Sequence, residues 1–169
     1  MKTLIAYSTR WGMTERTSRL IAETLKEADG RETHVLDARK VGRREIEAYD
    51  TFVVGSSVAA GRWKGPARRL LARLAAAKKP TAVFVTAGGV IHGREPGSDP
   101  GAPAQGSLAE RQAKAVGLYV DPIVAKAGLA PAAKSAFGGR MGFFGKEIFD
   151  SWEAEPVMAW ARELAETLK

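Results

Sequence analysis

Hydroxyl and glycine residues are concentrated directly after the first apolar run of the chain. Thr3–Tyr7 (TLIAY) is followed by a loop that leads at once into a helical pattern beginning at Thr14. The free N–H groups of a helix start would meet several hydroxyls there, which suits a monophosphate. The P-loop pattern and GxGxxG are both absent from this turn. The candidate residues are Ser8, Thr9, Arg10, Trp11, Gly12, Met13 and Thr14.

Two further loops of small residues follow apolar runs. One, after Thr51–Gly55, contains Ser56, Ser57, Val58, Ala59, Ala60 and Gly61, and the other, after Ala82–Thr86, contains Ala87, Gly88 and Gly89. Small residues allow a planar ligand to approach closely, and Gly61 can supply a backbone geometry that other residues disfavour. Trp63 is a candidate stacking surface and Trp11 a second one, although a tryptophan is also common in a core or at its edge.

Each candidate also has a purely structural alternative. Thr14 is a good helix cap and Gly12 a good turn residue without any ligand. His92 stands at the start of a Gly/Pro-rich segment that reaches Gly106, where it is a candidate proton donor or substrate contact or simply an exposed loop residue. A connection of this length is typically a lid, a binding loop or a disordered segment. We interpret His34 as structural.

The scarcity of cysteine and histidine limits the catalytic and metal-binding chemistry that the chain can perform. The chain has no cysteine and two histidines, which excludes thiol nucleophiles, disulfides and iron–sulfur clusters and leaves little for a metal site. Redox chemistry would therefore depend on a bound organic cofactor.

The net charge of +7 is unevenly distributed. Residues 51–94 carry eight basic groups and no acidic one. A block of this kind attracts acidic small molecules, acidic proteins, lipid head groups or nucleic acid, or it is only a solvated helix face. Nucleic-acid binding is disfavoured because no recognisable binding motif is present. Arg62, Lys64 and Arg68 are the candidate substrate rim.

Short β-branched runs alternate with helical patterns along the chain. Strands are predicted at Thr3–Tyr7, Glu32–Leu36, Thr51–Gly55, Ala82–Thr86 and Lys134–Phe137. Helices are predicted at Thr14–Ala28, Lys64–Ala77, Leu108–Ala127 with a kink or restart at Pro122, and Asp150–Leu168. This alternation predicts an α/β fold, a doubly wound five-stranded parallel sheet with helices on both faces. Ligands then bind beyond the carboxyl ends of the strands, where the three loops lie.

A length of 169 residues predicts one domain, residues 1–169. No apolar run is long enough for a membrane span, and the N-terminus lacks the features of a signal peptide. We therefore expect a cytoplasmic protein.

Three segments of the chain resemble the flavodoxin-like family of FMN-binding proteins, and more closely its branch of menaquinone-dependent protoporphyrinogen oxidases. They are MKTLIAYSTRWGMTERTSRLIAETL, VVGSSVAAGRWKG and FGGRMGFFGKEIFD. The resemblance implies noncovalent FMN. It implies phosphate contacts from Thr9, Arg10, Gly12, Met13 and Thr14, an isoalloxazine lined by residues 57–61, and residues 86–89 on its other side.

Two segments depart from that branch. Gly138–Asp150 is expected to pass almost at once into the final helix, and Gly93–Gly106 lacks the basic character expected of the branch. The first departure weakens the expectation of membrane contact, which would be at most peripheral, at the inner face of the membrane. Porphyrinogen carboxylates would then meet Arg62, Lys64 and Arg68, together with Arg140 and Lys146.

Three functions fit these expectations. The first is an FMN-dependent oxidoreductase that oxidises a substrate such as protoporphyrinogen IX and passes electrons to a quinone, in heme biosynthesis. The second is a flavodoxin-type electron carrier for an acidic redox partner protein. The third is an NAD(P)H:quinone reductase, for which no separate nicotinamide site is visible in the sequence.

Overall fold

The computed structural model describes residues 1–93, 105–143 and 146–169. Its main sheet contains β1 (Lys2–Ser8), β2 (Glu32–Asp37), β3 (Thr51–Ala59), the short β4 (Arg62–Trp63), β5 (Thr81–Thr86) and β6 (Ala133–Phe137). Five strands run parallel in the order β2-β1-β3-β5-β6, and β4 pairs antiparallel with the end of β3. The predicted five-stranded parallel sheet is confirmed.

Helices connect the strands and cover both faces of the sheet. They are α1 (Met13–Asp29), α2 (Arg43–Ala48), α3 (Gly65–Ala76), α4 (Gly88–Ile91), α5 (Leu108–Tyr119), α6 (Asp121–Ala127) and α7 (Ala154–Thr167). The predicted restart at Pro122 is confirmed, since α5 ends at Tyr119 and Pro122 lies in the first turn of α6. The predicted stop of α1 at Gly30 is also confirmed, with Gly30 at a φ of 72° and its N–H bonded to the Lys26 carbonyl.

Alternation along the strands divides the core into two layers. Leu4 of β1 belongs to the core layer that also contains residues of α3, α5 and α6, whereas Ile5 belongs to the layer that contains residues of α1 and α7. The same alternation in β3 sends Phe52 to the first layer and Val53 to the second. Because both faces are covered, these strands are almost continuously apolar.

A second sheet was not expected from the sequence. Residues between Gly139 and Ser151 form an antiparallel pair, β7 (Arg140–Phe143) and β8 (Lys146–Asp150). The expectation that Gly138–Asp150 leads almost directly into the last helix is therefore wrong. The predicted start of that helix at Asp150 is wrong as well, because Asp150 ends β8 and α7 begins at Ala154.

Within the described ranges, no helix is long and apolar enough to cross a bilayer. The Gly/Pro-rich segment that follows His92 lies mostly outside the described residues, which resume at residue 105. Its role as a lid or binding loop therefore stays a prediction. The same holds for the inference drawn from its few basic residues, that it departs from the protoporphyrinogen oxidase branch.

Candidate functional site

A cleft with about 510 Å³ of free space, part of it open to solvent, lies at the carboxyl ends of β1, β3 and β5. The strand order reverses beside β1, which has β2 on one side and β3 on the other. All three predicted loops contribute to the cleft, together with the start of β7. Its lining residues are Thr9, Trp11, Met13, Thr14, Ser57, Val58, Thr86, Gly88, Gly89, Gly139 and Arg140.

The loop after β1 leaves backbone donors free at the start of α1. Gly12 adopts a φ of 83° and donates its N–H to the Thr9 hydroxyl at 2.9 Å. No side chain in the described part of the chain caps α1, and its first helical hydrogen bond runs from the Arg16 N–H to the Gly12 carbonyl at 3.0 Å. The N–H groups of residues 13–15 therefore have no carbonyl partner within the helix. With the positive end of the helix dipole, they form a site suited to an anion.

Thr14 has a different role from the helix cap considered above. Gly12 occupies the cap position, and the Thr14 hydroxyl lies 2.8 Å from the Thr86 hydroxyl, with both side chains buried. This contact joins the loop after β1 to the end of β5. The pair fixes the distance between two walls of the cleft.

We expect Thr14→Val to destabilise the protein by about 1–3 kcal/mol, because it leaves the buried Thr86 hydroxyl without its partner. Thr86→Val should destabilise the protein by a similar amount, because it leaves the buried Thr14 hydroxyl without its partner. The double variant should lose less than the sum of the two single losses. Urea unfolding of the three variants without added FMN measures this coupling, and strictly additive losses would show that the two hydroxyls do not stabilise each other.

The strand predicted at Thr51–Gly55 continues to Ala59, so Ser57 and Val58 reach the cleft as residues of β3 and not of a loop, and the chain then turns back into β4. Ala60 and Gly61 have φ values of 49° and 71°, the left-handed pair that a two-residue turn between antiparallel strands requires. The Ser57 hydroxyl is buried and has no hydrogen-bond partner among the described residues. The same holds for the Ser8 hydroxyl at the end of β1. Buried hydroxyls are usually bonded, so the Ser57 hydroxyl, which lines the cleft, is a candidate for a ligand contact, whereas the predicted site residue Ser8 lies outside the cleft lining.

The two tryptophan candidates lie in different environments. Trp63 is only 3% exposed and belongs to the core layer on the α3 side of the sheet, so the structure does not support the predicted stacking role. Trp11 is 60% exposed and lines the cleft. Sequence alone favoured Trp63 because it ends a loop of small residues, but its pairing with Val58 in β4 turns it into the core.

The remaining wall of the cleft combines α4 with the base of the β7–β8 hairpin. Gly88 and Gly89 start α4, and Gly139 and Arg140 start the hairpin. Ser151 connects the two elements, because its hydroxyl lies 3.0 Å from the Gly88 carbonyl and 3.2 Å from the Gly139 carbonyl. The sequence predicted Arg140 at a substrate rim, but it gave no role to Gly139. The pattern that could have indicated both residues is the Gly138–Gly139 pair directly before the positively charged Arg140.

The other predicted site residues lie outside the cleft lining. Ala59 and Arg62 form the last pair of the β3–β4 turn, and Ala87 is a buried residue before α4. His92 follows α4 and does not line the cleft. Arg68 lines a separate groove between α3 and α6, so the three residues of the predicted substrate rim do not converge on the cleft. Of the other predicted residues, Lys64 precedes α3, and Arg10 lies near the exposed ring of Trp11.

Two ionisable groups with shifted pKa values lie near the carboxyl ends of β2 and β1. Asp37 at the end of β2 accepts hydrogen bonds from Arg39, which lower the pKa of its carboxyl group. Burial, with Glu15 as a further cause, raises the pKa of Tyr7 at the end of β1. Tyr7 therefore stays protonated at neutral pH and adds no negative charge near the anion site.

Comparison with known proteins agrees with this architecture. A family model described as a flavodoxin domain matches residues 4–143, which is most of the chain. The chain belongs to the flavodoxin family. Proteins of the flavodoxin family bind FMN, and flavodoxins transfer electrons to redox partner proteins. No curated protein matches the sequence.

Solved flavodoxin structures share the fold at low sequence identity. A flavodoxin from the domain Archaea is 16% identical over 99% of both chains, with a TM-score of 0.60. A single-residue mutant of the flavodoxin from Pseudomonas aeruginosa is 17% identical over 99% of both chains, with a TM-score of 0.58. The two-electron-reduced flavodoxin of Megasphaera elsdenii is 13% identical over 98% of this chain and 97% of that one, with a TM-score of 0.59. At these identities the likeness establishes the fold.

The residues of the cleft fit the cofactor of the flavodoxin family. The free N–H groups of α1 suit the FMN phosphate, and the glycines of α4 leave room for a flat ring. The unpartnered hydroxyl of Ser57 offers a hydrogen bond toward the same space. The chain therefore has an FMN-binding electron-transfer fold with a cleft of matching chemistry.

Proposed function

We propose that this chain binds FMN in the cleft and acts as an FMN-dependent redox protein. The observation that supports this most strongly is the convergence of an uncapped helix start, the buried Ser57 hydroxyl, which has no partner in the described part of the chain, and a glycine-lined wall at the carboxyl ends of the strands. Bound FMN supplies the ability to accept and release electrons, and the chain supplies binding, orientation and charge.

Each loop has a separate part in holding the cofactor. The first turn of α1 would hold the phosphate with its free backbone donors and Thr9 with its hydroxyl, and Ser8, Arg10, Gly12 and Met13 would complete this site. Residues 57–61 would hold the isoalloxazine from one side, where the Ser57 hydroxyl is available for a hydrogen bond. Residues 86–89 would hold it from the other side, and the exposed Trp11 would shield it from solvent.

The basic part of the surface favours an anionic redox partner. Arg62 follows the turn after β3, the strand that contains Ser57 and Val58, and Arg68 and Arg69 are exposed on α3. Across a groove, Lys126 of α6 adds a further cation. A positive field beside the cofactor accelerates encounter with an acidic protein. We therefore propose an electron carrier for acidic redox proteins as the first function.

Oxidation of protoporphyrinogen IX, with electrons passed to a quinone in heme biosynthesis, is the second candidate. The feature that favours it is the same positive surface, since Arg62 and Lys64 could meet the carboxylates of such a substrate beside the cleft. Peripheral contact with anionic lipid would then bring the quinone near the cofactor.

Anaerobic reduction of the FMN-loaded protein separates the two candidates. A carrier is expected to be reduced in two resolved one-electron phases and to transfer electrons faster to an acidic redox protein than to a basic one. An oxidoreductase is expected to be reduced in a single two-electron phase and to oxidise protoporphyrinogen in the presence of a quinone. In the second case, Arg62→Glu/Lys64→Glu should raise the KM for porphyrinogen, and Arg43→Glu on α2 is the control.

A further inference from the structure

One charged side chain stands out in the cleft. Among the lining residues that the structure describes, Arg140 is the only one with a charge, and all others are hydroxyl, apolar, aromatic or glycine residues. It is half-exposed and lies at the first position of β7. A cation in this place acts on the charge of anything bound beside it.

The hairpin holds Arg140 in a defined place. Gly139, the preceding residue, accepts a hydrogen bond from the Ser151 N–H at 3.0 Å, and the Ser151 hydroxyl bonds the Gly88 carbonyl of α4. At Gly138 a Cβ atom would lie 1.8 Å from the Ser151 carbonyl oxygen, so the backbone segments that flank the hairpin approach more closely there than any side chain allows. The base of the hairpin is thus tied to the wall of the cleft.

An acidic partner moderates the charge of Arg140. The Arg140 Nη2 atom lies 2.7 Å from the Glu147 Oε2 atom across the hairpin. Glu147 is not among the residues that line the cleft. The arginine therefore belongs to the wall of the cleft, and its carboxylate partner lies outside that wall.

We propose that Arg140 and Glu147 set the affinity of the protein for reduced relative to oxidised FMN. The inference rests on FMN binding in the cleft. Two electrons and one proton added to the isoalloxazine leave one additional negative charge on the ring, while the phosphate charge is the same in both states. Arg140 favours the form with the additional charge, and Glu147 opposes it.

Opposite substitutions test the proposal. We expect Arg140→Gln to raise the ratio of the reduced-FMN Kd to the oxidised-FMN Kd by about fivefold, and Glu147→Gln to lower it by a similar factor, given partial screening by solvent. Fluorescence titration gives the oxidised Kd. Anaerobic titration with dithionite-reduced FMN gives the reduced Kd, and equilibration with a reference dye checks the ratio through the midpoint potential.

The Arg43–Glu47 pair on α2 is a matched control, because it has the same 2.7 Å separation but does not line the cleft. Arg43→Gln and Glu47→Gln should leave the ratio unchanged. Equal changes of both Kd values in Arg140→Gln would mean that the arginine acts only on the phosphate, and would overturn the proposal. Shifts in the same direction for Arg140→Gln and Glu147→Gln would also overturn it. Failure of the unaltered protein to bind FMN would overturn the proposed function as well.

Discussion

Gly55→Ala is expected to destabilise the protein by about 3 kcal/mol, because the new methyl group has no space in a rigid part of the core. Gly55 lies in β3 two residues before Ser57, which lines the cleft. A Cβ atom there would lie 2.1 Å from Cζ and 2.4 Å from Cε1 of Phe84. Phe84 is fully buried, with ring centroids 5.8 Å from Phe137 and 6.1 Å from Trp160.

The same substitution at another glycine provides the control. Gly117 lies in α5, and a Cβ atom there would meet nothing within 4 Å. Gly117→Ala should therefore stabilise the protein by up to about 1 kcal/mol through helix propensity. Denaturant unfolding of both variants measures the two effects. Equal stability of Gly55→Ala and the unaltered protein would mean that Phe84 moves aside at little cost, contrary to the packing described here.

Arg31→Met is expected to lower the free energy of unfolding by about 3 kcal/mol, because it removes a buried charged group and leaves the Asp29 carboxylate and the Ala165 carbonyl without their hydrogen-bond donor. The Arg31 side chain is 1% exposed. Its guanidinium binds the Asp29 carboxylate, with Nη2 at 2.5 Å from Oδ2, and donates to the Ala165 carbonyl at 3.0 Å. These bonds tie the end of α1 to α7 at the edge of the sheet opposite the cleft.

Arg39→Met is the matched control for this prediction. Arg39 bonds Asp37 in the same two-residue spacing, but its side chain is 73% exposed. An exposed pair of this kind contributes about 0–1 kcal/mol. If the two methionine variants lose the same stability, burial does not strengthen the Arg31 contact, and the prediction is wrong.

The Arg31 contact also predicts a pH dependence. Hydrogen bonds from Arg31 lower the pKa of Asp29 in the folded protein. A carboxyl group with a lowered folded-state pKa contributes stability that is present above its unfolded pKa of about 3.9 and is lost as pH falls through the folded value. The stability difference between the unaltered protein and Arg31→Met should therefore narrow below about pH 4. Unfolding curves at pH 7 and pH 3 measure this change.

Most of the main sheet was predictable because its strands are buried on both faces. In runs such as TFVVG and AVFVT nearly every side chain is apolar, so both faces of the strand must be covered by helices. The alternation of such strands with helices therefore predicts the α/β fold class. Helix ends were predictable where one residue decides them, as at Gly30 and Pro122. The short α2 and the two-residue β4 lack the length that makes a periodic pattern visible.

The hairpin and the two tryptophans could not be predicted for a different reason. The position of Gly139 and Arg140 depends on contacts with Ser151 and Gly88, which are distant in sequence. The orientation of Trp63 depends on a two-residue turn that reverses the chain after β3. Local pattern places residues on loops, whereas tertiary contacts decide which of them face the cleft.

The loop after β1 is the proposed binding site for the phosphate of FMN. Its most direct test compares the affinities of FMN and riboflavin by flavin fluorescence, since the two ligands differ in the phosphate alone. Charge-assisted hydrogen bonds contribute about 1.5–3 kcal/mol each, so FMN should bind at least about tenfold more tightly than riboflavin. Equal affinities, or no binding of FMN, would contradict the account.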